Sequence, residues 1–476
     1  MSQSQSGMSR RTFLHGASAV VAATPFALAG WGHAFSAQVA HWKEGAKVRA
    51  VFLYPPSKAF ADNPNSWWSW PGNQYDAECH EKQYTAVLKD IEKKLGMTID
   101  VDSQPIASTS DAERVAGEIE ADKPDGLLIV MFYNLSLGHA DLLLKAAGKA
   151  GIPVVFYIGL GVKHGQVSQY RIPGVYFIQS LDNFEAIEYG MRMINARKLL
   201  SQSRLLSITK AERISETEEQ FLGLKVRTVP SSKYADEFHR TAIGAEAKKL
   251  LESFAKGAKE IRVTQEALEN AARAHLVLKK MLVQHDADGV TMNCLREGML
   301  KPCVSFALFN SQLTPAACEN DLGAAYTLFL GEALTGRAGF QHNPAYETER
   351  NHYYASHCTC APRLHGPDQA ASPYILRKFF HSNEGSCAIQ AFWKEGEPVT
   401  MVKYYTGQPA ILDVYAGKVW KSHKMPPAGG CATNVEIEIT DRADACMVKG
   451  HHNVLFCGDF ARKFRVFANL YKMNLA

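Results

Sequence analysis

Between residues 47 and 180, continuous apolar runs alternate with segments whose apolar residues recur at helical spacing. Runs of this kind are typical of parallel strands that are covered on both faces. We predict strands at 48–54, 126–132, 153–158 and 174–178. The segment 76–95 places its apolar side chains along one helical face, at Tyr84, Val87, Leu88, Ile91 and Leu95. The pattern predicts a doubly wound α/β domain.

A second α/β unit is predicted to follow, over residues 181–345. Asp182 has the side chain of a helix N-cap and precedes a predicted helix that extends through Leu200. The pattern then predicts a strand at 204–208, helices at 234–256 and 264–285, and strands at 289–294, 302–310 and 313–318. Ligands of open α/β sheets bind outside the carboxyl ends of the strands. Residues that directly follow these strands are therefore candidates for a site.

From about residue 385 onward the apolar runs become short and polar turns separate them. Residues 435–440 alternate strictly between apolar and polar side chains, which predicts a strand with one buried and one solvated face. Strands are predicted at 387–393, 399–405, 410–419, 435–440 and 451–457. The predicted fold is thus α/β, with two doubly wound Rossmann-like domains, 47–180 and 181–345, and a C-terminal antiparallel β-barrel domain, 346–476.

Residues 1–37 are predicted to be a twin-arginine signal peptide. Residues 9–14 read Ser-Arg-Arg-Thr-Phe-Leu, a small apolar run covers 16–30, and residues 34–36 offer a cleavage site. The run is short and Pro25 interrupts it, so we expect no membrane span in the mature protein. The expected partner is the twin-arginine export machinery, and the expected location is the periplasm or the exterior.

Charge and cysteine content narrow the choice of function. The chain has 52 Lys+Arg against 48 Asp+Glu and shows no basic stripe, so nucleic acid is not an expected partner. Its 10 cysteines fit no zinc spacing, and a protein that folds before export does so in a reducing compartment. We interpret most of them as small buried apolar residues. No phosphate-binding glycine loop or Gly-x-Ser-x-Gly motif supports a nucleotide or hydrolase function.

Three acids follow predicted strands of the second unit: Glu297, Glu319 and Asp321. Acids are costly to place beside a core, and a metal or a proton-transfer task is a common reason for them. Carboxylates with a histidine suit Mn²⁺ or Mg²⁺ and can move a proton beside a polarised carbonyl. The plain alternative is helix capping, which Asp321 could perform before Leu322.

Histidines and tryptophans supply further candidates. Histidines recur in the last third of the chain, at His342, His352, His357, His365, His381, His451 and His452. Each taken alone is more often a surface or core histidine than a ligand. Trp67, Trp68 and Trp70 cluster in a predicted loop, where they could stack on a sugar ring or seal the loop against its own domain.

Four segments in the C-terminal half together resemble the L-fucose isomerase family, within the fucose/arabinose isomerase superfamily. Residues 317–322 (Ala-Cys-Glu-Asn-Asp-Leu) with Leu-Thr-Gly at 334–336 are similar to the family's Ala-Thr-Glu-Asn-Asp run and its following Leu-Thr-Gly. Residues 383–386 resemble a glycine-rich lead-in, and 396–401 a Gly-x-Pro-Phe-Thr-Met strand. Residues 451–455, followed by Gly-Asp-Phe, are similar to an Asn-His-Gly-Val-Leu strand. The resemblance covers roughly residues 290–470.

The resemblance implies a divalent ion, usually Mn²⁺, held by two acids and one histidine. Asp321 and His452 match by position and Glu297 by spacing, so these are the expected metal ligands, with Glu297 and Asp321 also catalytic. Trp68, Glu319 and His357 are the expected substrate contacts. The implied activity is aldose–ketose isomerisation of a fucose- or arabinose-like sugar through an ene-diol, in a homo-trimer or homo-hexamer. The alternatives are an exported sugar-binding protein of the same fold and an interaction protein with a degenerate site.

Overall fold

The computed structural model describes residues 43–62, 74–165, 167–296, 301–379, 385–424 and 431–476. It has two α/β units followed by a closed six-stranded antiparallel β-barrel, which confirms the predicted fold class. The predicted signal peptide lies outside the described residues. Among the helices that are described, none has the length and apolarity needed to cross a bilayer.

The first unit is a parallel five-stranded sheet in the order β2-β1-β3-β4-β5. Its strands are β1 (Lys47–Leu53), β2 (Thr98–Val101), β3 (Gly126–Met131), β4 (Val154–Gly159) and β5 (Val175–Ser180). Its helices are α1 (Ser57–Ala61), α2 (Ala77–Leu95), α3 (Thr109–Asp122) and α4 (Leu137–Ala150). Helix α5 (Phe184–Ser201), predicted as the start of the second unit, also packs against β4 and α2 of this unit. Every residue of β3 is buried, as its unbroken apolar run predicts. The N-cap of α5 is Asn183 instead of the predicted Asp182, because the Asn183 side chain accepts the Ala186 N–H.

The second unit has the strand order β11-β10-β6-β8-β7, parallel except for β7. Its strands are β6 (Arg204–Thr209), β7 (Ser215–Glu218), β8 (Lys225–Pro230), β10 (Gly289–Met292) and β11 (Ala316–Cys318). Its helices are α6 (Ser231–Arg240), α7 (Ala245–Lys256), α8 (Gln265–His285), α9 (Cys303–Ser311) and α10 (Leu322–Thr335).

Two predictions for this unit are wrong. The segment 302–310, predicted as a strand, lies in helix α9. Its residues are buried on nearly all sides, so the apolar run has no periodicity that separates a helix from a strand. The predicted helix 234–256 is two helices, separated at residues 241–244, where Thr241 and Gly244 have extended backbone and low helix propensity.

The barrel closes in the order β16-β19-β12-β13-β18-β17, with β17 paired back to β16. Its strands are β12 (Phe340–Glu347), β13 (His352–His357), β16 (Pro398–Tyr405), β17 (Ile411–Ser422), β18 (Thr433–Ile439) and β19 (Asn453–Cys457). The predicted strand at 387–393 corresponds to β15 (Ala388–Ala391), which pairs with β14 (Tyr374–Arg377) in a separate sheet that includes β9 (Glu260–Arg262). Helix α11 (Ala461–Leu470) and the short β20 (Asn474–Leu475) end the chain.

The second unit and the barrel share one packed interface. Helix α10 is buried on almost every face and lies against barrel strands β16 and β19. The buried Gln341 side chain of β12 accepts the Cys318 N–H at 2.6 Å and donates to the Cys318 carbonyl at 3.2 Å. The edge strand β11 therefore meets the barrel through hydrogen bonds, which brings the carboxyl edge of the second sheet against barrel strands.

Candidate metal centre

The turn after β11 is built from two successive residues in the left-handed region, Glu319 (φ 63°) and Asn320 (φ 55°). Such backbone costs non-glycine residues ~1 kcal/mol or more each, and it persists where surrounding contacts enforce it. Here the Asn320 N–H donates to the Met292 carbonyl at 3.0 Å, and Ser207 Oγ donates to Asn320 Oδ1 at 2.7 Å. The turn is therefore fastened to the ends of β10 and β6, and Glu319 lies at the carboxyl edge of the sheet.

Asp321 uses its two oxygens for different elements. Oδ1 accepts the Ala324 N–H at 2.8 Å and caps α10, which confirms the capping interpretation. Oδ2 accepts from His452 Nδ1 at 2.9 Å and lies 3.6 Å from Lys403 Nζ. The hydrogen bond from His452 and the nearby Lys403 ammonium lower the pKa of Asp321 to about 2 against the opposing effect of burial. Asp321 is therefore an anion that connects the helix to the barrel.

His357 and His452 approach Glu319 from the barrel. His357 ends β13, His452 directly precedes β19, and both are buried. His357 Nε2 lies 3.5 Å from Glu319 Oε1, and His452 Nε2 lies 3.5 Å from Glu319 Oε2. Neither Nε2 atom has a hydrogen-bond partner of good geometry within the described residues. Two buried imidazole nitrogens thus face one carboxylate without completing a hydrogen bond to it.

This arrangement has the properties of a metal-binding site. Glu319 belongs to two groups of possible ligand atoms that lie within 4.8 Å of one another, one with His451 and His452 and one with Cys318 and His357. Asp321 accepts the Nδ1 proton of His452 and leaves its Nε2 facing Glu319; a carboxylate behind a ligating histidine is a recurrent arrangement in metal sites. Two imidazoles and one carboxylate suit first-row transition ions such as Mn²⁺ better than Mg²⁺.

The surrounding histidines also lower the pKa of the Glu319 carboxyl, first through the His357 contact and then through the neighbouring His452 and His451 rings. His451 is exposed, and its ring centroid lies 3.9 Å from that of His452. Burial and the neighbouring His452 lower the pKa of His451, so it is neutral at neutral pH. The solvent side of the site therefore holds a neutral imidazole that can accept a proton.

Lys403 and a thiol pair border the site. Lys403 Nζ donates to the carbonyls of His451 and His452 at 2.9 and 3.3 Å, and so fixes the turn that carries both histidines. Burial lowers the pKa of Lys403, with Asp321 opposing that effect. Cys318 Sγ lies 2.8 Å from Cys294 Sγ, both buried, and a ligand atom of Cys318 comes within 4.8 Å of those of Glu319 and His357.

Of the expected site residues, Glu319, Asp321, His357 and His452 come together, while Trp68 and Glu297 lie outside the described residues. Glu319 lies between His357 and His452, and both Asp321 oxygens have protein partners.

The remaining histidines in the C-terminal third have other environments. His342 is a core residue bonded to the Phe340 carbonyl and the Tyr353 hydroxyl, and burial lowers its pKa to about 3. His352 pairs with Glu436, and His365 lies beside Glu397. His381 is outside the described residues. Sequence reasoning missed Lys403 and the Cys294–Cys318 contact, since neither has a local motif that marks it.

Comparisons with known proteins give no family for the chain. No family model matches it, and no curated protein matches it. Among solved structures, a chain from a mutant XylFII–LytSN complex aligns over 60% of this chain and 91% of its own length, with 11% identity and a TM-score of 0.17. A likeness of that size carries no argument about fold or function.

Proposed function

We propose that this protein is a metal-dependent aldose–ketose isomerase acting on a fucose- or arabinose-like sugar. The observation that carries the proposal is the pair of unpartnered, buried Nε2 atoms of His357 and His452, each 3.5 Å from one oxygen of Glu319. The resemblance of segments 317–322 and 451–455 to the L-fucose isomerase family supports the same chemistry.

Glu319, His357 and His452 would hold the ion, which when bound supplies polarisation of the sugar's carbonyl and adjacent hydroxyl. Asp321 orients His452 through Nδ1, and Lys403 holds the backbone of the same turn. Isomerisation removes the C2 proton and returns one to C1, while a hydroxyl proton moves from O2 to O1. Glu297 remains the predicted acid–base residue, and His451 offers a second proton acceptor on the solvent side.

Solvent exchange tests this proposal more sharply than product yield. The Mn²⁺-loaded protein is incubated in D₂O with a panel of aldoses that includes fucose and arabinose, and deuterium entry at C2 is followed by NMR. We expect incorporation that a chelator abolishes. Glu319→Gln should bind Mn²⁺ weakly and lose the exchange, whereas Glu438→Gln, on the exposed side of β18, should retain both.

A protein that holds its metal and binds a sugar without exchanging any C2 proton would overturn the isomerase proposal in favour of a sugar-binding protein. Full exchange by Glu319→Gln in the presence of chelator would overturn the assigned centre, because the chemistry would then proceed without these donors.

A further inference from the structure

A second group of metal-ligating side chains lies at the opposite end of β19 from His452. It contains Cys457, the last residue of β19, Glu397, which directly precedes β16, and His365, from the segment between β13 and β14. His365 Nε2 is 3.2 Å from Glu397 Oε1 and 3.9 Å from Cys457 Sγ. The ligand atoms of all three residues lie within 4.8 Å of one another.

These separations suit a tetrahedral zinc ion. With Zn–N and Zn–O distances of ~2.1 Å and a Zn–S distance of ~2.3 Å, neighbouring ligand atoms lie ~3.3–3.6 Å apart. A thiolate, an imidazole and a carboxylate form a mixed set that favours a thiophilic dication such as Zn²⁺ or Co²⁺ over Mg²⁺ or Ca²⁺. Three protein ligands also leave a fourth position for water or another ligand.

The backbone around this group is fixed before any ion binds. The Gly458 N–H donates to the Pro398 carbonyl at 2.8 Å, and the β16–β19 register places Val399 opposite Cys457, so the ends carrying Glu397 and Cys457 are held together. Arg337 Nη1 donates to the His365 carbonyl at 2.5 Å, which anchors the third segment to the end of α10. A preorganised site loses less entropy on binding.

We propose that Cys457, Glu397 and His365 form a second metal site, which takes a thiophilic divalent cation such as Zn²⁺. Binding replaces the thiol proton of Cys457, which leaves to solvent, with a bond from sulfur to the metal. The site is separate from the centre at Glu319, since the β19 strand between His452 and Cys457 spans ~16 Å. The proposal is independent of the isomerase function, because none of its residues belongs to that centre.

Cobalt substitution tests the second site in the full chain. The reduced, metal-free protein is titrated anaerobically with Co²⁺, and thiolate coordination is read from the near-ultraviolet charge-transfer absorption. We expect two bound equivalents, one of them with the thiolate band. Cys457→Ser should remove that band and one equivalent, whereas Cys446→Ser, an exposed cysteine outside the group, should change neither.

Two further variants show which residues bind the Co²⁺ that gives the thiolate band. His365→Ala retains the Cys457 thiol. It should lower the affinity for the thiolate-bound Co²⁺ by at least the roughly 10- to 100-fold that changes to outer-shell residues cause. This variant tests the site if Cys457→Ser does not fold. Cys318→Ser should leave the band intact. A band that survives in both Cys457→Ser and His365→Ala, or that disappears in Cys318→Ser, would assign the thiolate to the other centre and overturn the proposal.

Discussion

At the scale of single residues, Asp321 joins two tasks that one substitution can separate. Asparagine is as good an N-cap as aspartate, so Asp321→Asn should keep the hydrogen bond from the Ala324 N–H to Oδ1. It removes the anion that accepts from His452 Nδ1. We expect Mn²⁺ affinity to fall about 10- to 100-fold, as for other outer-shell carboxylates, with stability changed by less than ~1 kcal/mol. Calorimetric Mn²⁺ titration and denaturant unfolding measure the two effects.

The matched control is Asp76→Asn, because Asp76 caps α2 through the Cys79 N–H. That variant repeats the change at a helix cap outside the site and should bind Mn²⁺ like the parent protein. Undiminished Mn²⁺ affinity in Asp321→Asn would show that the charge behind His452 is dispensable.

Glu332, in the last turn of α10, is a second residue whose ionisation decides its role. It is fully buried, Oε1 accepts from the Gly339 N–H at 3.3 Å, and Oε2 has no partner within the described residues. Burial raises its pKa well above the usual value. The folded state therefore keeps a Glu332 proton that the unfolded chain releases above pH ~4.3. Because of this difference, the contribution of Glu332 to the free energy of unfolding falls as the pH rises from ~4.3 through the pKa of Glu332 in the folded state.

Glu332→Gln imitates the protonated form and should remove this pH dependence. Relative to the variant, we expect the parent protein to lose stability by up to ~1.4 kcal/mol per pH unit across that window. Denaturant midpoints of both proteins at pH 5, 6.5 and 8 give the difference, which isolates Glu332 because every other titratable group is common to the pair. A constant difference over this range would mean that Glu332 is ionised in the folded protein.

At the scale of elements, the packing of α10 on the barrel depends on a glycine. A methyl group added at Gly331 would lie 2.5 Å from Phe456 Cε2 and 2.9 Å from Phe456 Cε1, so it would clash with the ring of this β19 residue. Gly331→Ala should therefore destabilise the protein by ~1–3 kcal/mol despite the better helix propensity of alanine. Gly117→Ala in α3, where nothing lies within 4 Å, is the matched control and should stabilise by ~0.5–1 kcal/mol. Thermal unfolding compares them, and a stabilised Gly331→Ala would show that α10 can move away from β19.

Sequence patterns predict best the elements that bury one face, or both faces, in the core. Strands β1, β3 and β4 and helices α2 and α8 have the apolar runs or helical spacing that their environments require. Strands β12 and β13 have no such pattern, because the barrel buries polar residues on them, including Gln341, His342 and His357. These polar residues contact the edge of the second sheet and the candidate site. The local sequence of β12 and β13 shows neither of these contacts.

At the scale of the whole molecule, the candidate centre belongs to two units at once. Glu319 and Asp321 come from the edge of the second sheet, whereas His357 and His452 come from two barrel strands that are not neighbours. The acids and His452 were predictable because local motifs surround them. The place of His357 opposite Glu319 was not, since it depends on β11 meeting the barrel through Gln341.

A metal held by both units should couple their stabilities. Saturating Mn²⁺ at about 100 times its dissociation constant should add ~2.7 kcal/mol to the folded state, and it should slow amide exchange in β13 and β19 together with the turn after β11. Hydrogen exchange with and without chelator measures this. His357→Ala should lose the protection in both units, because the remaining donors no longer hold the ion, whereas His239→Ala, on α6, should keep it. Protection confined to the sheet edge or to the barrel would place the ion within one unit, and the shared donor set around Glu319 would then be wrong.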